Sequence, residues 1–529
     1  MSLDPQVLVV GAGPTGLLLT AELQRRGVNC LIIDAHPEPL HWDRATVIHP
    51  RSLEVFESLG IVDQFLQLGV KQRIVQISSS GQFLGELDLS SCDSSYGFNL
   101  GISEEVTESI LTRYLQQQGG CMLRSARLVE LEEEQQKVVA TIQLDDRRER
   151  ISAQWVVGCD GFRSTTRELA GIEITGHDIE EPWAVFDATV VNWPNSSEGI
   201  FVYLDEVPVI LTALPDQRWR VYLRPNSPDA DLLGNASTTL SRYLTNVSFE
   251  EVSNPTRFQC HTKVAKQFRS RRIFLAGDAA HVCTPAQGHG MNSGLQGAFN
   301  LAWKLAHVCN GQCTPKILES YEAERLPVAQ AITASGDAAE LMQKPASRSE
   351  RIKRDESLNE MFHDPNAQRN EVIAETELDI DYSDSPIVIG KSAETLAAGQ
   401  RLPNTVKIVL PDEGKQPDRR KQRLHQLAQR TGHTVFVIGR SPEKHGPITE
   451  LVAAINAAKN YSIIEAVFLV TTQPDPQQAD AQITPAGADI LGVKDVTLLV
   501  IRPDGHIGLR ADDDHLESLK RYQALLSGE

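Results

Sequence analysis

The stretch VLVVGAGPTG, residues 7–16, decides the fold of this sequence. Its first four residues are all apolar and run directly into glycines, which is typical of a buried parallel β-strand. The residues that follow predict a helix that ends at Gly27. Cys30–Ile33 predicts a second buried strand, with Asp34 directly after it. The sequence therefore begins with a predicted βαβ unit.

The glycine spacing in this stretch predicts a dinucleotide-binding turn. Gly11 permits the tight turn, Gly13 lets the backbone approach a pyrophosphate, and Gly16 lets the helix pack closely on the strand. Partial positive charge at the helix N-terminus favours phosphates, and Asp34 can accept hydrogen bonds from a ribose. The alternative is a purely structural glycine turn. The residues predicted to bind the dinucleotide in this unit are Gly11, Gly13, Pro14, Thr15, Gly16, Asp34 and Ala35.

Composition and charge exclude several classes of protein. At 529 residues the chain is long enough for about three domains of ~150 residues each. Its 51 Lys and Arg against 70 Asp and Glu give a formal charge of −19, which argues against a nucleic-acid or anionic-membrane surface. No stretch approaches the ~20 apolar residues of a membrane span, and no signal peptide is expected. The cysteines are scattered without a CxxC pair, which predicts free thiols, a cytoplasmic location and no metal site.

The remainder of the chain shows two kinds of pattern. Short β-rich runs at residues 183–191, 199–204, 207–214 and 219–224, separated by Asn, Pro, Asp and Ser, predict an antiparallel sheet inserted into the first domain. Residues 343–385 are polar and charge-dense, which predicts a surface helix and a linker. Farther along, strands are predicted at 406–410, 434–438, 463–470 and 497–502, and helices at 421–430 and 513–526. This alternation predicts a compact α/β module.

Three further segments carry a family resemblance. The turns at residues 158–161 and 277–281 place Asp160 and Asp278 after apolar strand ends, and each turn alone predicts a type I turn with a capping Asp. The third segment, TPAQGHGMN at residues 284–292, is a glycine-rich loop. Together with the N-terminal glycine turn, these segments resemble the FAD-dependent aromatic hydroxylases, the group A flavoprotein monooxygenases related to p-hydroxybenzoate hydroxylase and phenol hydroxylase. The resemblance covers nearly the whole chain.

The resemblance implies roles for these residues in binding FAD. Asp160 would lie near the flavin pyrophosphate and the pyridine nucleotide, Asp278 would bind the ribityl chain, and Arg44 would contact FAD. The loop at 284–292 would lie under the isoalloxazine, at the N1–O2 edge where reduction builds negative charge, with a helix from about Ser293 pointing its positive end there. For Arg44 the alternative is an exposed salt bridge. The FAD-binding residues implied in this way are Arg44, Asp160, Asp278, Pro285, Gly288, Gly290, Met291 and Asn292.

Two positions depart from the family pattern. Gly297 stands where the family usually has Asp, which predicts looser packing between the loop and its helix. Ser103 or Glu104 stands where the family usually has Gln, which predicts a weaker contact to the FAD phosphates. The family has no separate domain for NAD(P)H, which docks transiently beside the flavin. Nothing in the sequence distinguishes NADH from NADPH.

The resemblance also implies the fold. It is an α/β protein with a Rossmann-like FAD-binding domain, an inserted antiparallel β-sheet substrate domain and a C-terminal thioredoxin-like α/β domain. The FAD-binding domain is predicted at 1–75, 100–176 and 270–342, the substrate domain at 76–99 and 177–269, a helical linker at 343–399, and the thioredoxin-like domain at 400–529. No cysteine follows Cys313, so the last domain cannot exchange dithiols. We expect it to be structural or an interaction surface.

The predicted substrate side lies on one strand of the inserted sheet. Period-two alternation at residues 219–224 places Arg220, Tyr222 and Arg224 on one face. Such a face would present a Tyr that activates a phenol and a cation for its anion, so Tyr222 and Arg220 are the predicted catalytic residues. The alternative is a solvated strand face.

The activity that the resemblance implies is monooxygenation. NAD(P)H would reduce non-covalently bound FAD, O₂ would form a flavin C4a-hydroperoxide, and one oxygen atom would pass to a phenolic or polycyclic aromatic ring. The expected partners are a small aromatic or polyketide substrate and O₂, with no nucleic acid and no membrane, and the sequence permits a homodimer. Two alternatives stay open: a related epoxidase or Baeyer–Villiger-type oxygenase acting on a polyketide, and a flavin-binding protein without turnover. His49 and His289 are further candidates for polar groups beside flavin or substrate, with a structural role as the alternative.

Overall fold

The described part of the chain is a mixture of helices and strands. The computed structural model describes residues 4–39, 45–227, 229–345, 347–390, 396–410, 421–440, 445–457, 463–472 and 479–528, so the predicted FAD contact Arg44 lies outside the described residues. The α-helices are α1 (Pro14–Arg25), α2 (Pro50–Ser58), α3 (Val62–Leu68), α4 (Glu104–Gln117), α5 (Thr165–Leu169), α6 (Leu232–Leu240), α7 (His289–Cys309), α8 (Glu319–Gln343), α9 (Arg348–His363), α10 (Pro365–Glu375), α11 (Leu424–Leu427), α12 (His445–Ala457), α13 (Pro485–Ile490) and α14 (His515–Ser527). The β-strands are β1 (Val7–Val10), β2 (Cys30–Ile33), β3 (Val47–Ile48), β4 (Val70–Gln72), β5 (Ile74–Ser79), β6 (Gln82–Asp88), β7 (Asn99–Gly101), β8 (Cys121–Leu123), β9 (Ala126–Glu133), β10 (Val138–Leu144), β11 (Arg147–Ala153), β12 (Trp155–Gly158), β13 (Ile174–Asp178), β14 (Trp183–Val191), β15 (Gly199–Tyr203), β16 (Val209–Ala213), β17 (Arg218–Leu223), β18 (Ser248–Phe258), β19 (His261–Ala265), β20 (Arg269–Ser270), β21 (Ile273–Leu275), β22 (His281–Val282), β23 (Lys407–Val409), β24 (Lys421–Arg423), β25 (His433–Gly439), β26 (Ile464–Thr471), β27 (Ala481–Ile483), β28 (Val496–Ile501) and β29 (Ile507–Ala511).

A largely parallel sheet is built on the N-terminal strand. Its order is β20-β21-β12-β1-β2-β8, and β1 pairs in parallel with both β2 and β12. Val7 and Val9 belong to the apolar cluster that includes α1 and α7, whereas Leu8 and Val10 belong to the cluster of the β9–β10–β11 sheet. Both faces of β1 are therefore covered, which explains why all four of its residues are apolar. The predicted βαβ unit is confirmed.

A seven-stranded sheet, which we name the large sheet, contains the predicted β-rich runs. Its order is β18-β14-β17-β16-β15-β5-β6, and every neighbouring pair is antiparallel except β15 with β5. One face, the inner face, carries Trp183, Val185 and Tyr222 in a cluster with Val47 and Ala286. The opposite, outer face packs against α6. Because β5 and β6 precede the other five strands by a long stretch of chain, two separate segments build this sheet.

The predicted linker at 343–399 contains two helices, α9 and α10. Ser347 begins α9 with a capping box, in which its hydroxyl accepts from the Glu350 N–H and the Glu350 carboxylate accepts from the Ser347 N–H. The Asp364 carboxylate caps α10 by accepting a backbone N–H. After α10 the backbone turns through Glu377, which has a φ of 56°. This part of the chain is thus folded, with its own helix-start signals.

The C-terminal sheet has more strands than the sequence predicted. Its order is β24-β23-β27-β26-β25-β28-β29, and β24, β27 and β29 were not among the predicted strands. The predicted helix at 421–430 is wrong at its start, because Lys421–Arg423 forms the edge strand β24 and α11 spans only Leu424–Leu427. Antiparallel pairing of β24 with β23 outweighs the local helix propensity there.

The C-terminal module shares an apolar core with the N-terminal sheet. Val435, Val500 and Tyr522 belong to the same cluster as residues of α1 and α7. A buried ion pair reinforces this contact, because Arg502 donates from Nη1 and Nη2 to the two oxygens of Glu324, in α8, at 2.8 Å each. The module is therefore packed into the protein rather than attached through a linker alone.

Two observations bear on the surroundings of the chain. Within the described ranges, no helix combines the length and the apolar character that crossing a membrane requires. The eight cysteines predicted to be thiols all lie in the described part of the chain, and none of them forms a disulfide there.

Candidate active site

The glycine turn after β1 fits a pyrophosphate. Gly11 has a φ of +103°, and a Cβ added there would stand 2.3 Å from the carbonyl oxygen of Cys159. A Cβ on Gly16 would stand 2.0 Å from the Gly11 carbonyl oxygen, so both positions require glycine. At Gly13, in contrast, the nearest atom to an added Cβ is Oε1 of Glu108 at 3.9 Å. The turn therefore has no room for a side chain at Gly11 and Gly16, where it packs against backbone atoms. It has room at Gly13, the residue predicted to face the phosphates.

Asp34 follows β2 directly, and its carboxylate stabilises the same turn by accepting hydrogen bonds. Its Oδ2 accepts the backbone N–H of Ala12 at 2.7 Å, and its Oδ1 accepts that of His36 at 2.8 Å. Each carboxylate oxygen keeps a further lone pair for a ribose hydroxyl. Pro14 stands in the first turn of α1, where its missing N–H costs nothing and the remaining N–H groups are available to an anion.

The carboxylate of Asp160 is engaged inside its own turn. Its Oδ1 accepts from Ser164 Oγ at 2.5 Å, and its Oδ2 accepts from Thr166 N and Oγ1 at 2.8 and 3.0 Å. Burial raises the pKa of Asp160. Arg167 then donates to the carbonyl oxygen of Ala279 at 3.0 Å, which joins this turn to the next one. These contacts give Asp160 a structural role at the start of α5, whose N-cap is Ser164, and the contact of Asp160 with FAD stays a prediction.

The turn that carries Asp278 lies against the start of α1. A Cβ on Gly277 would stand 2.7 Å from Thr15 Oγ1, and a Cβ on Gly294, in α7, would stand 2.5 Å from the same atom. The first turn of α1, the Asp278 turn and the beginning of α7 therefore meet at Thr15. The Asp278 side chain is exposed beside this junction, where a bound ligand can reach it.

The glycine-rich loop passes into α7 through a left-handed residue. Gly288 has a φ of 72° and caps α7, which begins at His289. The predicted start near Ser293 is therefore wrong by about one turn, because the sequence pattern does not reveal the cap at Gly288. Gly290 and Met291 lie in the first helical turn, where backbone N–H groups lack helical partners and carry partial positive charge.

Asn292 fastens this loop to β3. Its Oδ1 accepts the backbone N–H of His49 at 2.9 Å. Its Nδ2 donates to the carbonyl oxygens of Val47 and Gly288, both at 2.9 Å. The single-turn 3₁₀ helix Pro285–Gln287 precedes Gly288 directly, so the whole loop is held in one shape.

Tyr222 reaches from the inner face of the large sheet to the chain segment before β3. Its hydroxyl lies 2.9 Å from Thr46 Oγ1, and its ring stands edge-on to Trp183 at a centroid distance of 6.4 Å. Thr46 is followed directly by Val47, the residue to which Asn292 donates. The predicted catalytic Tyr222 and the predicted flavin loop therefore contact one and the same segment.

The predicted strand face is buried, so the solvated alternative is wrong. Arg220, Tyr222 and Arg224 are 0%, 8% and 6% exposed. Arg220 pairs with Asp187 of the neighbouring strand, with Nε–Oδ1 and Nη2–Oδ2 distances of 2.5 and 3.0 Å. Its charge is thus already matched by a carboxylate inside the sheet. The predicted role of Arg220 toward a substrate anion stays a prediction, and this pairing speaks against it.

Glu340, from α8, joins the loop to the large sheet. Its Oε1 accepts from Trp183 Nε1 at 2.8 Å and also from the hydroxyl of Thr284, the first residue of the loop. Its Oε2 pairs with Arg224 Nη1 at 2.6 Å. Sequence reasoning missed this residue, because one Glu on a long helix carries no motif.

A pair of buried histidines lies at the loop. The His49 Nδ1 is 3.1 Å from Asn99 Oδ1, and its Nε2 is 3.1 Å from the Gln287 carbonyl oxygen. The His289 ring lies 5.0 Å from the His49 ring, and its Nδ1 is 3.0 Å from Glu377 Oε1. Burial lowers the pKa of His49 to about 4, so this ring is neutral at pH 7. Burial also opposes a charge on His289, but the hydrogen bond and charge of Glu377 raise the pKa of His289 above its ordinary value.

The two departures from the family pattern have local replacements. A Cβ on Gly297 would lie 3.7 Å from Arg325 Nε. Arg325 donates instead to the carbonyl and hydroxyl oxygens of Ser293 at 3.0 and 2.9 Å, which ties α8 to α7 without an Asp at 297. At the other departure, α4 begins at Glu104 and the Ser103 hydroxyl caps it. Where the family usually has Gln, this chain therefore has the capping Ser103 and an acidic first turn that begins at Glu104.

Comparison with known proteins places these features in one family. Residues 4–335 match the family described as FAD binding domain. A pentachlorophenol 4-monooxygenase from Sphingobium chlorophenolicum is 32% identical over 339 residues, which cover 62% of this chain and 63%, less than two thirds, of that protein. A rifampicin monooxygenase from Rhodococcus hoagii is 30% identical over 411 residues, which cover 74% of this chain and 82% of that protein. The solved structure of an anhydrotetracycline hydroxylase from Streptomyces rimosus is 24% identical, with a TM-score of 0.74 and 99% of each chain covered, and so has the same fold.

Proposed function

The chain belongs to the FAD-binding domain family, and from this membership we propose that it is an FAD-dependent aromatic monooxygenase. NAD(P)H and O₂ are its co-substrates, and a phenolic or polycyclic aromatic ring is hydroxylated. The observation that carries this proposal is the closure of the inner face of the large sheet onto the glycine-rich loop. Glu340 binds Thr284 of the loop and Trp183 of the sheet, and Tyr222 binds Thr46 beside β3.

The residues around the three turns fit FAD. The open side of Gly13 and the N-terminus of α1 would bind the pyrophosphate, Asp34 the ribose, and Asp278 the ribityl chain. The first turn of α7 would donate backbone N–H groups to the edge of the flavin that becomes negative. When bound, FAD supplies the activation of O₂ after its reduction by NAD(P)H.

The inner face of the large sheet would orient the aromatic ring and exclude water. Trp183 and the neighbouring apolar side chains give it a dry surface. A phenol with a pKa near ~10 is mostly neutral at pH 7, and its ionised ring is much richer in electrons. The Tyr222 hydroxyl, which is hydrogen-bonded to Thr46, can donate a hydrogen bond to the phenolate oxygen and so stabilise the ionised ring, which is the role we propose for Tyr222.

A substrate screen on the FAD-loaded protein tests this function. Phenols and polycyclic quinones are added one by one, and we expect NAD(P)H oxidation together with a product that is heavier by one oxygen atom. The position of that oxygen, as a ring hydroxyl, an epoxide or an inserted ester oxygen, separates hydroxylation from the related oxygenase chemistries. Asp278→Ala is expected to give a folded protein that retains FAD much more weakly. A wild-type protein that cannot be loaded with any flavin would refute the proposal.

Location and assembly belong to the same proposal. The eight cysteine thiols support a reducing, cytoplasmic setting. The assembly that we propose is a homodimer, which light scattering tests directly. A mass of one chain, 58.4 kDa, at all concentrations would contradict it.

A further inference from the structure

The segment after α10 presents a buried carboxylate to the glycine-rich loop. Glu377 is 2% exposed, its Oε1 lies 3.0 Å from His289 Nδ1, and its Oε2 accepts from the side-chain amide of Gln296. Both partners belong to α7, and His289 is the first residue of that helix. The backbone of Glu377 has a φ of 56°, a conformation that costs a non-glycine residue about 1–2 kcal/mol. The surrounding packing therefore holds this carboxylate in place against a local cost.

Among the neighbouring cations, His289 is the one that is hydrogen-bonded to Glu377 in the described structure, whereas Arg325 acts on this carboxylate through its charge alone. A buried carboxylate needs a hydrogen-bonded cation or it becomes protonated. His49 is neutral, because burial lowers its pKa to about 4. Arg325 uses its donors on Ser293 and Tyr382. The remaining charged groups near the pair are acidic, namely Glu375 and Asp379, and burial raises the pKa of both carboxyls.

The position of His289 places its positive charge in the glycine-rich loop. It lies between Gly288 and Gly290, inside the loop that the proposed function assigns to the flavin. The N-terminus of α7 adds its partial positive charge at the same point. Glu377 comes from outside the loop, so the positive end of the ion pair belongs to the loop and the negative end does not.

We propose that Glu377 is a positioning residue for FAD: it holds a cationic His289 at the first residue of α7, where this charge stabilises the reduced, anionic flavin. The inference rests on the proposed function, because it assigns the loop to FAD. It adds a residue of the predicted linker, Glu377, to the groups that set the properties of the cofactor.

The first test compares two charge-removing variants through the midpoint potential of bound FAD. Glu377→Gln keeps the shape of the side chain, and we expect it to bind oxidised FAD within about twofold of wild type. Reduced FAD should bind about tenfold more weakly, which for two electrons lowers the potential by about 30 mV. Glu375→Gln removes a nearby carboxyl that acts on His289 through its charge but makes no hydrogen bond to the loop in the described structure, and it should shift the potential much less than Glu377→Gln does. Equal potentials for wild type and Glu377→Gln would overturn the inference.

A double-mutant cycle separates positioning from general structural support. We expect His289→Gln to lower the potential, and Glu377→Gln to add nothing in the His289→Gln background, because Glu377 acts through His289. A residue with only a structural role would add its effect in both backgrounds. Additive potentials would therefore overturn the inference. If Glu377→Gln fails to fold, Glu377→Asp keeps the charge with a longer contact, and a potential between those of wild type and His289→Gln is expected.

The protonation of His289 is measurable without any flavin. In flavin-free protein with labelled imidazole nitrogens, the His289 signal is identified by its loss in His289→Gln. In wild type we expect the pKa of His289 to lie above the ordinary value of a histidine. In Glu377→Gln we expect this pKa to lie below the ordinary value, because burial then acts without the charge of Glu377. Identical titrations would overturn the inference. A protein that never binds FAD would refute the proposed function and, with it, the role of Glu377. A competent hydroxylase with unchanged potentials would refute only the role of Glu377.

Discussion

Around the glycine turn after β1 the backbone itself shapes the candidate site, whereas on the inner face of the large sheet buried charged side chains shape it. At Gly11 and Gly16 an added Cβ would collide with carbonyl oxygens. At the sheet, Arg220 is matched by Asp187, and Arg224 by a carboxylate from α8. The comparison shows why a short motif identifies the first region, while the second depends on partners from distant strands and helices.

Gly11→Ala is the strongest test of the first region, the glycine turn after β1, where the backbone shapes the site. Its Cβ would stand 2.3 Å from a carbonyl oxygen and its φ is +103°, so we expect a loss of more than about 4 kcal/mol in the free energy of unfolding and no retained FAD. Gly27→Ala is the matched control, since it also has a positive φ of +76° but nothing within 4 Å of its Cβ, and should cost about 1–2 kcal/mol. Denaturant unfolding of both variants measures the difference. Equal losses would show that backbone strain alone, and not close packing, sets the glycine requirement.

Arg220→Met tests the side-chain region. The variant leaves the buried Asp187 without its counter-charge, and we expect the free energy of unfolding to fall by about 3–5 kcal/mol. Replacing both partners, Arg220→Met with Asp187→Leu, should recover most of this loss, because no unmatched charge stays behind. Denaturant unfolding of the two variants provides the measurement. If Arg220→Met alone were as stable as wild type, the Arg220–Asp187 pair would contribute nothing to the stability of the sheet.

Gly13→Ala sharpens the comparison by separating binding from folding. Gly13 has a φ of −75°, which alanine adopts easily, and its added Cβ meets no atom closer than 3.9 Å. We therefore expect the flavin-free protein to unfold as wild type does. Its Kd for FAD should rise about 100-fold, or about 2.7 kcal/mol, because the methyl group occupies the approach of the pyrophosphate. Fluorescence titration with FAD measures this, and an unchanged Kd would remove Gly13 from the proposed site.

Tyr222→Phe has the smallest expected free-energy effect of these variants, together with a specific effect on the reaction. Loss of the bond to Thr46 should cost about 1 kcal/mol in unfolding. FAD binding and reduction should persist, while less product and more peroxide form per NAD(P)H consumed. Tyr203→Phe is the control, because Tyr203 is equally buried but belongs to the cluster on the outer face of the same sheet. If the two variants couple NAD(P)H to product equally well, Tyr222 has no role in handling the substrate.

The parts of the fold that were predictable are those with local signals. The predicted run at 183–191 coincides with β14 residue for residue, because its β-rich composition and the turn residues that flank it are local signals. The turn at Gly11 and Gly16 was predictable because the reason for glycine, a close backbone approach, recurs at a fixed spacing. Family resemblance then placed Asp278 and the loop that follows it.

The remaining features depend on contacts between distant positions. The partner of Arg220 lies on another strand, so period-two alternation gave the right face but not its burial. Glu377 reaches His289 across a long stretch of chain, and no spacing rule links the two residues. The edge strand that begins at Lys421 exists because β23 offers it a partner. Local propensity contains none of this information.

The shared core of α1 and the C-terminal module leads us to expect late capture of the cofactor during protein synthesis. Helix α1 leaves the ribosome early, but Val500 and Tyr522, which complete its apolar cluster, are made hundreds of residues later. At about 5–20 residues per second, that interval is on the order of tens of seconds. We therefore expect the core of the FAD-binding half to stay incomplete during this interval, and arrested nascent chains to retain FAD only when they extend past Tyr522. We thus expect FAD binding to be among the last events of the synthesis and folding of the protein.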